Sequence, residues 1–328
     1  MSGEGDAAGG WWPAASIEAI AERARMLASA RAFFAERGVM EVETPVLSRH
    51  GTTDPAIESL ALSADALTPA RWLQTSPEFA MKRLLAAGSG PIYQICKVFR
   101  DAERGRRHHP EFTLLEWYRP GFSMRGLIDE VAALVRALLE RPDLPAETLT
   151  YRALFRSRLG LDPWETPDTA LRSRAIDAGI PGAVALALDR DGWLDLLLCH
   201  CLESGLGRGA LTFLCHYPPS QAALARVVDD GGVPVAERFE LYLDGMELAN
   251  GFVELTDAAE QRLRFDADLA VRRRDGQRTP PMDAGLLAAL EAGLPDSAGV
   301  ALGLDRLLMI RTGAGHIDQV LAFPAERA

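Results

Sequence analysis

The stretch Glu240-Leu241-Tyr242-Leu243-Asp244-Gly245-Met246-Glu247-Leu248 reads as a β-hairpin. An Asp-Gly pair between two apolar-alternating runs signals a two-residue type I′ turn, because both central residues of that turn need positive φ. The turn sets the register: Leu243 opposite Met246, and Tyr242 opposite Glu247. Leu241, Leu243, Met246 and Leu248 then face a core. Glu240 and Glu247 become diagonal neighbours on the other face, about 7–8 Å apart at the backbone. Two carboxylates alone on one sheet face repel. A magnesium ion carrying phosphate oxygens would relieve them, since that ion favours a few carboxylates plus substrate phosphates. A solvated sheet face with two unrelated glutamates is the alternative.

Two further segments present faces of the same kind. Residues 91–99 and 111–118 read as paired strands joined by a polar loop. Phe112, Glu116 and Tyr118 share parity, with Leu114 between them. An aromatic ring, a carboxylate and a phenol on one face could stack a purine and bind an amino group. Arg100, at the end of the first strand, could meet a phosphate; a half-buried hairpin with Arg100 in a surface ion pair is the other reading. In the last strand, residues 299–304, Gly299, Ala301 and Gly303 leave one face nearly bare, so a flat ligand could lie against the backbone. Arg306 follows in the first turn of a helix, where a cation opposes the helix dipole and an anionic partner would explain it. A close strand–helix contact with an exposed arginine would look the same in sequence.

Thr75-Ser76-Pro77-Glu78 opens a helix, with Ser76 as N-cap, Pro77 at the first helical position and Glu78 in the first turn. Lys82 and Arg83 on that helix, and the run Arg272 to Arg274, read as solvated. Residues 16–37 have helical apolar spacing, with Ser16 and Gly38 as caps, and run into a short strand that ends at Pro45. Helices are expected over 124–141, 261–274 and 305–312, with further strands at 211–216, 238–243 and 246–253. Residues 50–70 read as loop and edge strand, and residues 142–210 as a helical insertion. Residues 1–15 form a short lead, expected to be disordered. The fold class is α+β, an antiparallel sheet flanked by helices.

Bulk properties narrow the function. A length of 328 residues with 48% hydrophobic content supports a packed core. No run of about 18 apolar residues exists, so no membrane span is expected, and the first ten residues do not read as a secretory leader. The net charge of −11 argues against a broad nucleic-acid footprint. Cys96, Cys199, Cys201 and Cys215 include no Cys-x-x-Cys pair; the Cys199-His200-Cys201 cluster is a poor match to zinc spacing and reads as reduced thiols in a helix. A cytoplasmic setting follows.

In combination these segments resemble the class II aminoacyl-tRNA synthetases. Residues 31–45 look like motif 1, the dimer-interface helix and strand. Residues 99–118 look like motif 2, and residues 299–310 like motif 3. Within that family Thr75-Ser76-Pro77-Glu78, Leu115-Glu116-Trp117-Tyr118 and Asn250-Gly251-Phe252-Val253-Glu254-Leu255 resemble the pocket of lysyl-tRNA synthetases. Those enzymes begin with an OB-fold anticodon-binding domain, for which there is no room before the motif 1 helix here. The truncated pattern, with Ala301 where the synthetases usually carry Gly, is similar to the synthetase-like branch that joins β-lysine to elongation factor P.

The resemblance implies a two-step ligase that uses ATP and Mg2+, takes (R)-β-lysine or lysine as substrate and elongation factor P as acceptor, and works as a homodimer without tRNA. It implies that Arg100 holds the α-phosphate and substrate carboxylate, and that Arg306 holds the γ-phosphate. Phe112 would stack on adenine, with Asp101, Ala102, His109, Glu247, Leu248 and Gly303 around the nucleotide. Glu240 and Glu247 would bind the metal. Ser76, Pro77, Glu78, Glu116, Tyr118, Asn250, Phe252, Glu254 and Ala301 would line the diamino-acid pocket. Two departures from the family stand out: Asp101-Ala102 replaces Asn-Glu at the start of the motif 2 loop, with Glu103 able to substitute after a loop shift, and His109 replaces Asn. The alternatives are a minimal lysyl-tRNA synthetase acting on tRNA, and a catalytically weak regulator that keeps the fold.

Overall fold

The computed structural model describes residues 11–62 and 70–328. The expected disordered lead lies outside the described residues over positions 1–10. Its last part is tied down: Ala14 and Ala15 donate backbone hydrogen bonds to Ala322 and Leu321 at 2.8 and 3.1 Å.

Helix α1 (Ile17–Ala35) starts where the Ser16 hydroxyl accepts from the Ala19 amide. It leads to β1 (Met40–Glu41), much shorter than the strand expected up to Pro45. Strands β2 (Leu47–Ser48), β3 (Ala61–Leu62) and β4 (Arg71–Leu73) form a small separate sheet. Helix α2 (Glu78–Ala86) is followed by the hairpin β5 (Ile92–Phe99) and β6 (Glu111–Pro120), then α3 (Met124–Leu139).

Residues 142–210 carry the helices α4 (Tyr151–Leu159), α5 (Asp168–Asp177) and α6 (Arg190–Leu197). They also hold β7 (Ala146–Thr150), missed in the sequence because the strand is short, mostly exposed and without apolar alternation. The Cys199-His200-Cys201 run lies in a short π-helical turn, and all four cysteines are free thiols. Next come β8 (Leu211–Tyr217), β9 (Val227–Asp229), β10 (Pro234–Leu243), β11 (Met246–Val253), α7 (Ala258–Arg274), α8 (Ala284–Gly293), β12 (Ser297–Gly303) and α9 (Leu304–Thr312). Helix α8 was not anticipated.

The main sheet runs β1-β5-β6-β12-β11-β10-β8-β7, with β9 on β10. It is antiparallel except at its two ends, where β1 joins β5 and β7 joins β8 in parallel. One face buries Leu115, Trp117, Val300, Leu302, Leu241 and Leu248 against α1, α3 and α9 in the largest core. Two smaller cores pack on the opposite face at its two ends. One gathers α4–α6 over Leu214, Tyr217 and Tyr242; the other gathers α2, α7 and α8 over Ile92 and Tyr118. The middle of that face stays uncovered, which places the site.

Arg272 corrects an expectation. It is 1% exposed, pairs with Glu58 at 2.8 Å, and donates to the carbonyls of Thr53, Asp54, Ile57 and Arg278. A guanidinium with this many acceptors can be buried because its charge is satisfied. It pins residues 53–58, and the Asp101 amide donates to the Glu58 carbonyl at 2.8 Å. Among the described residues no helix is long and apolar enough to cross a membrane.

Candidate active site

Cross-strand register brings the expected side chains together in rows. One row runs Gln94, Glu116, Ala301, Asn250, Glu240 across five strands, and the next runs Ile92, Tyr118, Gly299, Phe252, Arg238. The Asp-Gly turn has the expected pairing, Leu243 with Met246 and Tyr242 with Glu247. Beyond it lies a bulge. Leu241 pairs with Ala249, so Leu248 is an extra residue and both Leu248 and Ala249 turn into the core, each 2% exposed. The bulge shifts the alternation, so that Asn250, Phe252 and Glu254 join Glu247 on the functional face. Strict alternation from Glu247 would have sent them into the core.

The uncovered middle contains a cavity of about 580 Å³. Its lining includes Ser76, Pro77, Glu78, Arg100, Glu116, Tyr118, Asn250, Phe252, Glu254 and Ala301. Ser76 and Tyr118 donate to the two Glu116 oxygens at 2.8 and 2.6 Å, and the Ser76 hydroxyl also accepts from the Glu78 amide that opens α2. Glu116 is 2% exposed; burial and then the charge of Glu78 push its carboxyl up to about 8. Burial also pushes Glu254 up, to about 7, against the pull of Lys82.

Lys82, expected in solvent, is 1% exposed, with its ammonium 2.7 Å from Glu78 and 2.5 Å from Glu254. It stays charged: burial works against its proton, but Glu254 and Glu78 outweigh burial. Both Glu254 oxygens and Arg100 Nε are buried without a hydrogen-bond partner, Oε2 having only the Lys82 ion-pair contact. Buried polar atoms left open in this way ask for a ligand, a donor at the carboxylate and an acceptor at the guanidinium. Gly299 keeps the pocket open, for a methyl there would sit 2.3 Å from Tyr118 Cε1 and 2.7 Å from Glu254 Oε1.

The same face continues past Arg100 to a second, cationic region. The Arg100 guanidinium lies 5.2 Å from the Phe112 ring centroid and 3.5 Å from Glu103. Arg306 donates to the Glu247 carbonyl at 2.9 Å and to its carboxylate at 3.2 Å, and contacts His108 Nε2 at 2.7 Å. Arg107, which reaches the Gly245 carbonyl at 2.6 Å, is held below the ordinary arginine range by burial and then by the charges of Arg106 and Arg306. Shielding between the strands and the charge of Glu240 raise the Glu247 carboxyl; Arg306 and Arg100 oppose that rise. Arg306 and Glu247 are in direct contact, and Arg100 lies near enough for its charge to bear on the Glu247 carboxyl. Gly303 leaves space there: a methyl on it would meet only the Leu248 carbonyl at 3.7 Å and Arg306 Cδ at 4.0 Å. Asp305, 2% exposed, anchors the floor by accepting from the Thr113 amide at 2.6 Å and pairing with Arg23 of α1.

Four expected nucleotide contacts are placed differently. Both His109 nitrogens are spent, on the Glu111 carbonyl at 2.6 Å and the Ala325 amide at 2.9 Å, so the ring ties the C-terminal segment rather than a ligand. Leu248 can offer only its carbonyl, because its side chain is in the core. Ala102 takes a left-handed φ of 61°, and its amide is capped by Asp101 Oδ1 at 2.9 Å. With Asp101 occupied in that cap, Glu103 is the carboxylate that turns back to Arg100.

Glu240 is the partly committed member of the carboxylate pair: Tyr217 and Tyr242 donate to Oε2 at 2.6 Å each, and Arg238 to Oε1 at 2.5 Å. One lone pair on Oε1 is left, alongside the less encumbered Glu247, a donor set that fits an ion taking most of its oxygens from substrate phosphates and water. Among the described residues no three acidic, His or Cys side chains converge to hold a metal by themselves.

Lys82, His108, Arg107 and Arg238 were missed in the sequence. Lys82 had a signal, Glu78 four residues earlier, but that spacing equally marks a surface ion pair. His108 and Arg107 lie in the charged loop, whose folding onto Arg306 no local pattern encodes.

Compared with known proteins, residues 14–327 match the family described as tRNA synthetases class II (D, K and N). The chain is similar to the elongation factor P–(R)-β-lysine ligase of Klebsiella pneumoniae (strain 342), 46% identical over 97% of this chain and 98% of the relative. It is similar also to those of Pseudoalteromonas translucida, 48% identical over 97% and 98%, and Histophilus somni (strain 2336), 46% identical over 95% and 97%.

Proposed function

Because this chain belongs to the class II tRNA synthetase family of the D, K and N type, we propose that it is an ATP-dependent ligase that activates (R)-β-lysine, or lysine, as an adenylate and transfers it to a lysine side chain of elongation factor P. Relatives nearly half identical over almost their full length carry that activity in their names. The observation that carries the chemistry is the single sheet face on which a cavity holding Glu78, Glu116 and Glu254 meets guanidinium groups from Arg100 onward.

In this reading the diamino acid lies over Ala301, its ammonium groups among Glu78, Glu116 and Glu254 and its carboxylate toward Arg100. Asn250 and Tyr118 hold its flanks, and Phe252 closes the side. ATP lies over Gly303 with adenine against Phe112 and its phosphates toward Arg306, His108 and Arg107. The substrate carboxylate attacks the α-phosphorus and pyrophosphate leaves. No protein nucleophile is needed, since the chain supplies alignment and fixed positive charge where negative charge develops. Glu247, with Glu240 behind it, would hold Mg2+, which when bound neutralises phosphate charge. In the second step the acceptor amine attacks the acyl carbon as the neutral species and AMP departs. A free lysine has a pKa of about 10.4, so the rate of this step rises with pH while the site stays intact.

We also place the reaction in the cytoplasm, with the four free thiols in support, and infer a homodimer through the α1–β1 unit, where Met40 is an exposed apolar side chain. The test is to incubate the protein with ATP, each lysine isomer, and either elongation factor P or tRNA. Covalent addition to the protein acceptor is expected; acylation of tRNA alone would overturn the assignment.

A further inference from the structure

We propose that Lys82 is a built-in counter-ion of the amino-acid pocket, a positioning residue that aims Glu78 and Glu254 at the cavity and sets its charge to match a substrate with two ammonium groups. This rests on the functional reading above. Three carboxylates, Glu78, Glu116 and Glu254, surround the polar end of the cavity, and Lys82 is the one ammonium among them. With all three carboxylates ionised, as two substrate ammonium groups beside them would favour, this local group of four carries two negative charges, the complement of a diamino acid with both amines protonated.

Geometry separates this role from a plain structural ion pair. Lys82 makes its ion-pair contact with Glu254 at Oε2, 2.5 Å away, while Oε1 lies on the Gly299 side of the cavity and neither oxygen has a hydrogen-bond donor. It sits one helical turn after Glu78 on α2, and Ser76, just ahead of that helix, donates to Glu116. One short helix thus carries a carboxylate and its counter-ion, and the residues leading into it supply a hydrogen bond to the next carboxylate. Its neighbours Met81 and Leu85 are apolar and buried, so packing alone does not call for a cation at position 82; the charge is needed because Glu78 and Glu254 face it, and removing it would leave their carboxylates uncompensated. The groups facing Lys82 are Glu78 on its own helix and Glu254 at the end of β11, with Glu116 and Tyr118 of β6 beside them; β12 contributes no titratable side chain. With the ammonium removed, two close carboxylates would share a proton until the pH rises.

The test compares wild type, Lys82→Met and Lys82→Arg by pyrophosphate–ATP exchange at pH 6.5 and 8.5, with (R)-β-lysine and with L-lysine. For Lys82→Met the amino-acid KM should rise about 10-fold over wild type at pH 6.5, and that ratio should shrink to about 2-fold at pH 8.5 as the shared proton is lost. The KM for ATP should stay within about 2-fold, because Lys82 makes no contact with the cationic end of the site. Lys82→Arg keeps the charge on a bulkier head, so its KM ratio should be the same at both pH values; this arm carries the test if the methionine variant fails to fold. A Lys82→Met ratio independent of pH, an unchanged amino-acid KM at pH 6.5, or a pH-dependent Lys82→Arg ratio would overturn the proposal. Wild type with no exchange for either isomer would instead sink the functional reading and take this proposal with it.

Discussion

Replacing Gly299 with Ala should damage amino-acid binding and leave ATP binding nearly intact. The added methyl would lie 2.3 and 2.4 Å from two Tyr118 ring carbons and 2.7 Å from Glu254 Oε1. Carbon atoms settle at about 3.5–4.0 Å, so the phenol must retreat by roughly an ångström. Its 2.6 Å bond to Glu116 cannot survive that displacement. With Glu116 ionised against the bound diamino acid, a hydrogen bond to this charged group contributes about 1.5–3 kcal/mol, which converts to a loss of roughly 10- to 150-fold in kcat/KM for the amino acid. Overpacking should lower stability by about 1–3 kcal/mol as well. Gly303→Ala is the matched control. Its methyl meets no protein atom closer than 3.7 Å, so the melting temperature and the amino-acid KM should hold while the KM for ATP rises if adenylate lies against that strand. Pyrophosphate exchange with each substrate titrated separately, beside thermal melts, reads all of these. An unchanged amino-acid KM in Gly299→Ala, or a loss that falls equally on ATP, would refute the reasoning.

Arg306→Ala should abolish exchange, because it removes the guanidinium bonded to Glu247 and His108 at the phosphate end; a preserved rate at saturating ATP would count against the nucleotide site. Arg272→Met should destabilise the fold by about 3–5 kcal/mol in urea denaturation, since Glu58 and four carbonyls lose a buried partner; a loss below about 1 kcal/mol would show that residues 53–58 are held otherwise. Stability of the ligand-free protein should fall between pH 6 and 8.5. Glu116 and Glu254 have folded-state values raised to about 8 and about 7, so the protonated forms favour the fold and that contribution disappears as pH rises through those values. The diamino acid should flatten the decline by supplying cations to the ionised carboxylates; thermal melts with and without it check both the sign and the rescue.

Most of the fold was legible because short-range rules governed it. The Asp244-Gly245 turn fixed a register, and strand parity then placed Glu116, Tyr118, Ala301 and Gly303 on one side without knowledge of their neighbours. Legibility ended where the outcome depended on a partner distant in sequence. The bulge at Leu248 leaves no mark in an apolar run, yet it decides that Asn250, Phe252 and Glu254 face the ligand. Lys82 and Arg272 both look like helix-surface cations. Each is buried because acceptors arrive from elsewhere, Glu254 from the end of a strand and the 53–58 carbonyls from a loop 214 or more residues away along the chain. His109 is similar: its motif pointed to the nucleotide, but the Ala325 amide takes its second nitrogen. Strand β7 and helix α8 were missed for a different reason: β7 is five mostly exposed residues, and α8 is a short Ala- and Leu-rich run with too little polar alternation to show a period.

The most direct measurement is intact-mass analysis of elongation factor P after incubation with the protein, ATP and either (R)-β-lysine or L-lysine, repeated with Glu254→Gln. A mass gain of one lysyl group at a single acceptor lysine is expected with the wild-type chain, sharply reduced in the variant. No gain with either isomer, or an equal gain from the variant, would contradict an acidic pocket that feeds an adenylate to a protein amine.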